Sequence, residues 1–250
     1  MQKFSAEFRF YEELNDFLPG YRKKQSFPYA FSGKPAIKDA IEACGIPHPE
    51  VELIMVNGKS VSFDYHLQNG DRVAVYPMFE SIDVTSIIRL REKPLRETRF
   101  ILDVHLGKLA RYLRLCGFDT GWEPINDDHQ IVAISTQQKR IILTRDQGLL
   151  KHRQVSHGYW VRNTLPAGQL QEVLGRFDLY GQVKPFTRCM VCNGSLHGVS
   201  KEQIIAQLQI NTIKYFDTFQ QCTNCKKVYW PGTHHQRMER MLTGILRQDG

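Results

Sequence analysis

Two short cysteine pairs limit what this chain can become. Cys189-Met-Val-Cys192 and Cys222-Thr-Asn-Cys225 each hold two sulfurs across a two-residue gap. A gap of that length lets a pair wrap one edge of a tetrahedron, and four thiolates form a closed ligand set for Zn²⁺. A site filled by four sulfurs leaves no position for water, so it would fasten a fold and carry no chemistry of its own. The 29 residues between the pairs exceed the spacing of a minimal ribbon and predict that this insert, which includes "KEQIIAQLQ", carries a helix of its own. Two accounts compete with an all-cysteine zinc site: disulfides, which a reducing compartment disfavours, and replacement of one cysteine by His197, His234 or His235. Cys44 and Cys116 have no partner pattern and read as small apolar packing residues.

With 250 residues, 42% of them hydrophobic and 24% charged, the chain has the make-up of a soluble globular protein of one large or two modest domains. No apolar run approaches the ~20 residues of a membrane span, so no membrane partner is expected. The start, "MQKFSAEFRF", alternates like a strand and lacks the pattern of a secretion signal, which predicts a cytoplasmic address. The net charge of +7 is unevenly shared. Residues 1–85 hold 9 Lys/Arg against 12 Asp/Glu, and the remainder holds 24 against 14. Basic character therefore belongs to the later part, where it favours a polyanionic partner such as nucleic acid.

The first segment reads as a small α+β unit. "KFSAEFRFY" alternates over Phe4, Ala6, Phe8 and Phe10; "PAIKDAIEACG" is a short helix with Pro35 suited to its first turn; Asn57-Gly58 joins two strand-like runs as a hairpin; "DRVAVYPMF" closes the sheet. Strands, one helix, a hairpin and a closing strand make a β-grasp-like sheet. "VNGK" and "LQNGDRVAVYP" resemble the ubiquitin-like sulfur carriers of thiamine and molybdopterin synthesis. Those end in a reactive Gly-Gly, whereas Pro77 here is followed by "MFESIDV", so sulfur-carrier chemistry is not expected and the unit reads as a binding or solubilising module, its protein partner unspecified. The charged stretch that follows, with Pro94 inside it, reads as a connector.

From Arg99 strand and helix patterns alternate: "FILDV", a helix over Leu106–Cys116, "DTGW", a helix from Asp127 to about Gln138, "RIILT", "GYWVR" and a helix over Pro166–Phe177. Such alternation predicts a parallel sheet flanked by helices, whose strands deliver side chains to one crevice at their carboxyl ends. Asp103 ends the first strand, Asp146 follows "RIILTR", and Asp128 lies at the start of a helix. Two like charges at 4 Å repel by about 4 kcal/mol at an effective dielectric near 20, so three acids meeting there call for a divalent cation, Mg²⁺ or Mn²⁺. Each acid also has a plainer account. Asp103 and Asp146 suit helix or turn caps, and Asp127 or Asp128 suits a cap with Gln130 completing a capping box. On the first helix Leu106, Leu109, Ala110 and Leu113 form the apolar stripe, leaving Lys108, Arg111 and Arg114 on other faces. Lys108 and Arg111, with Arg145 beside Asp146, are candidates to hold a phosphate backbone, or else a solvated face.

The run "RFILDVHLGKLARYLRLCGFDT…NDDHQIV…RIILTRDQGLL" closely resembles the PIN-like ribonuclease domain at the C-terminus of Mut-seven-type exonucleases, over most of Arg99 to Arg240. The resemblance implies a metal site on Asp103, Asp128 and Asp146, metal-dependent hydrolysis of RNA phosphodiester bonds, and RNA as partner, whether transfer, ribosomal or messenger. A β-grasp unit ahead of such a domain also fits a known bacterial architecture. The resulting organisation is a ubiquitin-like β-grasp unit over 1–83, a linker over 84–98, a PIN-like core over 99–184, and a zinc ribbon with a C-terminal helix over 185–250. A fourth acid of the usual PIN quartet has no matching motif; Asp178 and Asp217 are the nearby candidates. Beyond the second cysteine pair, Lys226, Lys227, Tyr229 and Trp230 mix charge with aromatic faces as single-stranded RNA grooves do, although Tyr229 and Trp230 also suit packing beneath the ribbon. The alternative function is a non-catalytic RNA-binding or adaptor protein. An Asp-x-Asp phosphatase is opposed by His105, which stands where the second acid belongs.

Overall fold

The computed structural model describes residues 3–77, 98–124 and 127–246. The first part is a five-stranded mixed sheet formed by β1 (Phe4–Phe10), β2 (Phe27–Phe31), β3 (Val51–Val56), β4 (Lys59–Val61) and β5 (Arg72–Pro77), with one helix, α1 (Ile37–Ala43). The strand order is β2-β1-β5-β3-β4, with β1 and β5 parallel at the centre, Phe8 opposite Val73, and the other pairs antiparallel. This is the β-grasp arrangement the sequence predicts. Alternation sets β1: Ala6, Phe8 and Phe10 are buried, while Ser5, Glu7 and Arg9 are exposed. Against the buried face α1 lays Ile37, Ala40 and Ile41, which join Leu14, Ile46, Ile54 and Val75 in one core. Each such large side chain contributes about 1.5–3 kcal/mol on burial. Asn57 and Gly58 take φ of +50° and +81°, the left-handed pair that a two-residue hairpin between β3 and β4 requires.

Two local expectations are corrected. Pro35 precedes the N-cap residue Ala36 and so lies outside the first turn of α1. β2 is a strand the sequence reading passes over, because Pro28 interrupts its pattern; it is tolerated since β2 is the sheet's outer strand, with Pro28 opposite Glu7.

Apart from Thr98, the linker expected over 84–98 lies outside the described residues. The chain then alternates through β6 (Arg99–Leu102), a 3₁₀ turn (Val104–Leu106), α2 (Gly107–Leu115), β7 (Asp119–Gly121), α3 (Asp128–Gln138), β8 (Ile141–Thr144), α4 (Gln147–Leu150), β9 (Gly158–Trp160) and α5 (Pro166–Arg176). β6 pairs with β7 and β8 with β9, both parallel, which bears out the parallel α/β class. Phe100, Ile101 and Leu102 in β6 and all four residues of β8 are buried, the continuous apolar run of strands covered on both faces. The last part holds β10 (Leu196–Val199), α6 (Lys201–Ile204), α7 (Ile210–Tyr215), β11 (Phe219–Cys222), β12 (Val228–Tyr229) and α8 (Thr233–Leu246). β10, β11 and β12 form an antiparallel sheet, and α6 and α7 bear out the helix expected within the insert.

The chain groups into two compact units, 1–97 with 128–160, and 98–127 with 161–250. In the second, α2 packs on α5 through apolar stripes that bury Leu109, Ala110 and Leu113 on one helix and Leu170, Val173 and Leu174 on the other. In the first, the turn His48–Glu50 seats the β-grasp sheet against β9. Glu50, only 1% exposed, accepts the Trp160 backbone N–H at 2.5 Å. His48 donates to Glu42 Oε1 and to the Val155 carbonyl, each at 2.6 Å, and the rings of Phe17 and Trp160 meet at 5.1 Å. Burial raises the Glu42 carboxyl, but the bond from His48 outweighs it and leaves the group below its usual value. A depressed carboxylate adds stability above its unfolded pKa and loses it as pH falls through the folded one. The stability lost in Glu42→Gln, read from urea unfolding, is therefore expected at pH 7 and to shrink as pH drops below about 4.

Candidate functional site

The four cysteine sulfurs converge as their spacing predicts. Their Sγ atoms all lie within 4.8 Å of one another, with Cys189 to Cys225 at 3.6 Å and Cys192 to Cys222 at 3.3 Å. A disulfide needs about 2.05 Å, whereas tetrahedral ligands 2.3 Å from zinc stand about 3.8 Å apart. All four cysteines are free, so the disulfide account fails, and four sulfurs suffice without a histidine. The cluster could hold a metal such as zinc, whose taste for soft thiolate matches this donor set. Burial opposes ionisation of Cys192, but the Gly194 N–H and the neighbouring sulfurs bring the thiol down to about 6. Burial and the same neighbours push Cys225 up to about 12, because each thiolate formed resists the next until a cation joins them. Around the ligands, Tyr229 donates its hydroxyl to Cys189 Sγ at 3.0 Å and the Asn224 N–H points to Cys222 Sγ at 3.4 Å.

Arg114 ties this cluster to the α/β segment, and here the sequence expectation is corrected. Placed among the outward cations by its charge, it is 3% exposed. Its guanidinium donates to the Thr120 carbonyl at 2.8 Å, to the Val191 carbonyl at 2.8 Å and to the Met190 carbonyl at 3.3 Å, joining β7 to the first cysteine knuckle. Desolvation lowers its pKa, while Glu123 and the thiols of Cys189 and Cys192 support the charge. The missed signal is periodicity: Arg114 falls four residues after Ala110, on the buried stripe. Asn193 adds a second tie, accepting the Thr120 N–H at 3.0 Å and donating to Asp119 Oδ1 at 2.8 Å.

Asp103 sits at the end of β6 with 5% exposure. Its Oδ1 accepts the His105 N–H at 2.8 Å, so the capping role holds and fixes the carboxylate where the strand gives way to the helical turn. Trp122 covers this turn. Its indole donates to the Val104 carbonyl at 3.3 Å, and its ring lies so near Gly107 that a Cβ there would approach within 2.6 Å. His105, Lys108 and Arg111 follow at three-residue intervals and are all exposed.

Asp146 is exposed and caps α4, accepting the Gly148 N–H at 2.7 Å, while its own N–H goes to the buried Thr144 hydroxyl at 2.8 Å. Arg145 beside it is exposed, and its carbonyl takes the Trp160 indole N–H at 3.2 Å. Asp128, also exposed, opens α3. A two-residue turn joins α3 to β8, so the helix runs back along that strand and its start lies at the end where β8 delivers Asp146. The rings of His129 and His152, 5.7 Å apart, mark the same proximity between the start of α3 and the end of α4. Carboxylate oxygens are hard donors, so all three aspartates suit Mg²⁺ or Mn²⁺. Of the candidates for a fourth acid, Asp217 pairs with Lys201 at 2.9 Å. Asp178 follows Phe177, whose ring meets Phe100 near the start of β6, away from Asp103.

Beyond the second knuckle, Tyr229 bonds to Cys189 of the cysteine cluster while Trp230 stays 37% exposed. Lys226 folds its ammonium onto the Thr223 carbonyl at 2.9 Å, leaving Lys227 as the outward cation of the pair. Cys44 and Cys116 are buried as expected, and burial pushes their thiols up to about 11 and about 12.

Among protein families, the one described as Mut7-C RNAse domain matches residues 98–242, and the one described as Mut7-C ubiquitin matches residues 3–83. No curated protein and no solved structure matches the chain.

Two outcomes test the metal centre and its tether. Chelation is expected to lower the melting temperature by roughly 10 °C or more, with zinc restoring it and Cys192→Ser abolishing stoichiometric metal by elemental analysis. Arg114→Met, which leaves four carbonyls, that of Trp122 included, without their donor, is expected to cost about 3 kcal/mol in denaturant unfolding.

Proposed function

The chain belongs to the Mut7-C RNAse domain family, and from that premise we propose that it is a metal-dependent ribonuclease with a structural zinc centre and an RNA-binding basic surface. Asp103, Asp128 and Asp146 hold the catalytic Mg²⁺ or Mn²⁺, and Lys108, Arg111 and Arg145 bind the phosphate backbone. The observation that carries this reading is Asp103, a nearly buried carboxylate at a strand's carboxyl end, preset by a cap and followed by a row that holds the exposed cations Lys108 and Arg111. A solvated or purely structural aspartate has no need of that row.

A divalent cation in such a setting lowers the pKa of its water toward neutrality and offsets charge on the phosphate. The chain's own residues supply position. The caps on Asp103 and Asp146 fix both carboxylates before substrate arrives, so little ordering remains at the reacting step. Asp128, exposed at the first turn of α3, either adds a third carboxylate to the cation or orients the attacking water. Lys108 and Arg111 hold the chain in register along α2. No serine or cysteine nucleophile is required.

The partner is RNA; whether it is transfer, ribosomal or messenger RNA is read by which labelled substrate is cut. Mg²⁺- or Mn²⁺-dependent cleavage of RNA is expected, falling at least a hundredfold in Asp103→Asn and in Asp146→Asn while RNA binding in Ca²⁺ persists. RNA binding with no cleavage by the native chain under either metal would leave the adaptor reading in its place.

A further inference from the structure

Beside the cysteine cluster, the second knuckle, α2 and the start of α8 enclose a pocket of about 370 Å³, whose aromatic lining the proposed catalysis does not use although Arg111 stands at its edge. That volume lies in the range of small-ligand sites, roughly 300–1,000 Å³. Trp230 lines it, and so do Tyr229, whose ring is anchored by its bond to Cys189, and Phe186. Phe186 has φ of +58°, a left-handed backbone that bulky side chains rarely adopt. It is kept there by its own N–H on the Leu115 carbonyl at 3.0 Å and by the Lys184 N–H on the Cys116 carbonyl at 2.8 Å. Its ring stacks on His235, centroids 3.8 Å apart. Strain of this kind costs about 1–3 kcal/mol and persists where the surroundings fix it, here to complete an aromatic wall.

The polar part of the lining has one sign. Arg111 and Lys227 supply cations, and among the described residues no carboxylate lines the pocket. Flat aromatic surface with cations at its edge matches a ligand that is itself flat and anionic. Arg111 also ends the row His105, Lys108, Arg111 that begins two residues after Asp103. Two steps of three residues along a helix rise about 9 Å, the length of a short run of phosphates.

We propose that this pocket seats an unpaired nucleobase of single-stranded RNA, stacked on Trp230 and bounded by Phe186, with its phosphate on Lys227 and Arg111 and the neighbouring backbone following α2 toward Asp103. The proposal rests on the ribonuclease reading and narrows it, since the bases of a duplex are stacked within and cannot enter such a slot.

The test uses the full-length, zinc-loaded chain and a fluorescent ten-nucleotide single-stranded RNA, with Ca²⁺ replacing Mg²⁺ so that binding is read without cleavage. Trp230→Ala and Arg111→Ala are each expected to weaken binding about tenfold, the effect of one lost stack or phosphate contact, and Trp230→Phe to recover most of the loss. Fully base-paired RNA is expected to bind the native chain and Trp230→Ala alike. Both alanine variants binding the single strand within twofold of native, with native zinc content and melting temperature, would overturn the proposal. A separate Mg²⁺ assay keeps the two readings apart. A native chain that binds through Trp230 and never cuts removes the ribonuclease and leaves the pocket; a chain that cuts RNA and binds it regardless of Trp230 removes the pocket alone.

Discussion

One buried guanidinium on α2 holds β7 and the loop of the first cysteine pair together. Arg114 reaches from the later turns of α2 to the carbonyls of Thr120, Met190 and Val191. Those carbonyls belong to β7 and to the loop between the first two cysteines, so the helix that follows Asp103 and the loop that presents Cys189 and Cys192 share one donor. A lysine offers no planar fork and would satisfy fewer of them. The charge is tolerated because Glu123 and the thiols of Cys189 and Cys192 support it and its bonds go to oxygen acceptors, the condition under which a buried ion does not unfold its host. The order of α2, the ribbon and the pocket between them descends from this tie.

Capping and metal binding are compatible at Asp103 and Asp146. Each carboxylate spends one oxygen on a backbone N–H two residues ahead. That bond alone would account for a well-defined turn, and it also fixes the direction in which the carboxylate faces. At Asp103 the low exposure adds what a cap does not need, and the indole of Trp122 closes over the same turn.

Much of this is legible in the sequence, and the exceptions have physical causes. Period-two alternation in β1, the Asn57-Gly58 turn and the Cys-x-x-Cys spacing are local signals whose geometry follows from covalent structure, and each leads to the right element. β2 is illegible because Pro28 argues against a strand unless the strand is known to be an outer one, and neighbour order is a property of the sheet. Arg114 misleads because its charge argues for solvent while its period, four residues after Ala110, argues for the buried stripe. Tyr229 and Trp230 share one pattern in the sequence and differ in space: both line the pocket, but the Tyr229 hydroxyl is fixed on Cys189 while Trp230 stays exposed. Phe186 gives no signal at all, because a left-handed backbone in a non-glycine residue is imposed by the bonds around it.

The contact between Glu50 and the Trp160 amide has a consequence for solubility. β9 is short, and the amide that Glu50 takes is one more donor along a strand whose other side is already paired with β8. Backbone donors left open on a strand's margin are what a neighbouring copy recruits when proteins associate edge to edge. By occupying that margin with a carboxylate from its own polypeptide, the N-terminal unit shields one donor of β9 from such pairing. A shortened chain beginning after the sheet would present that margin to every other molecule in the tube.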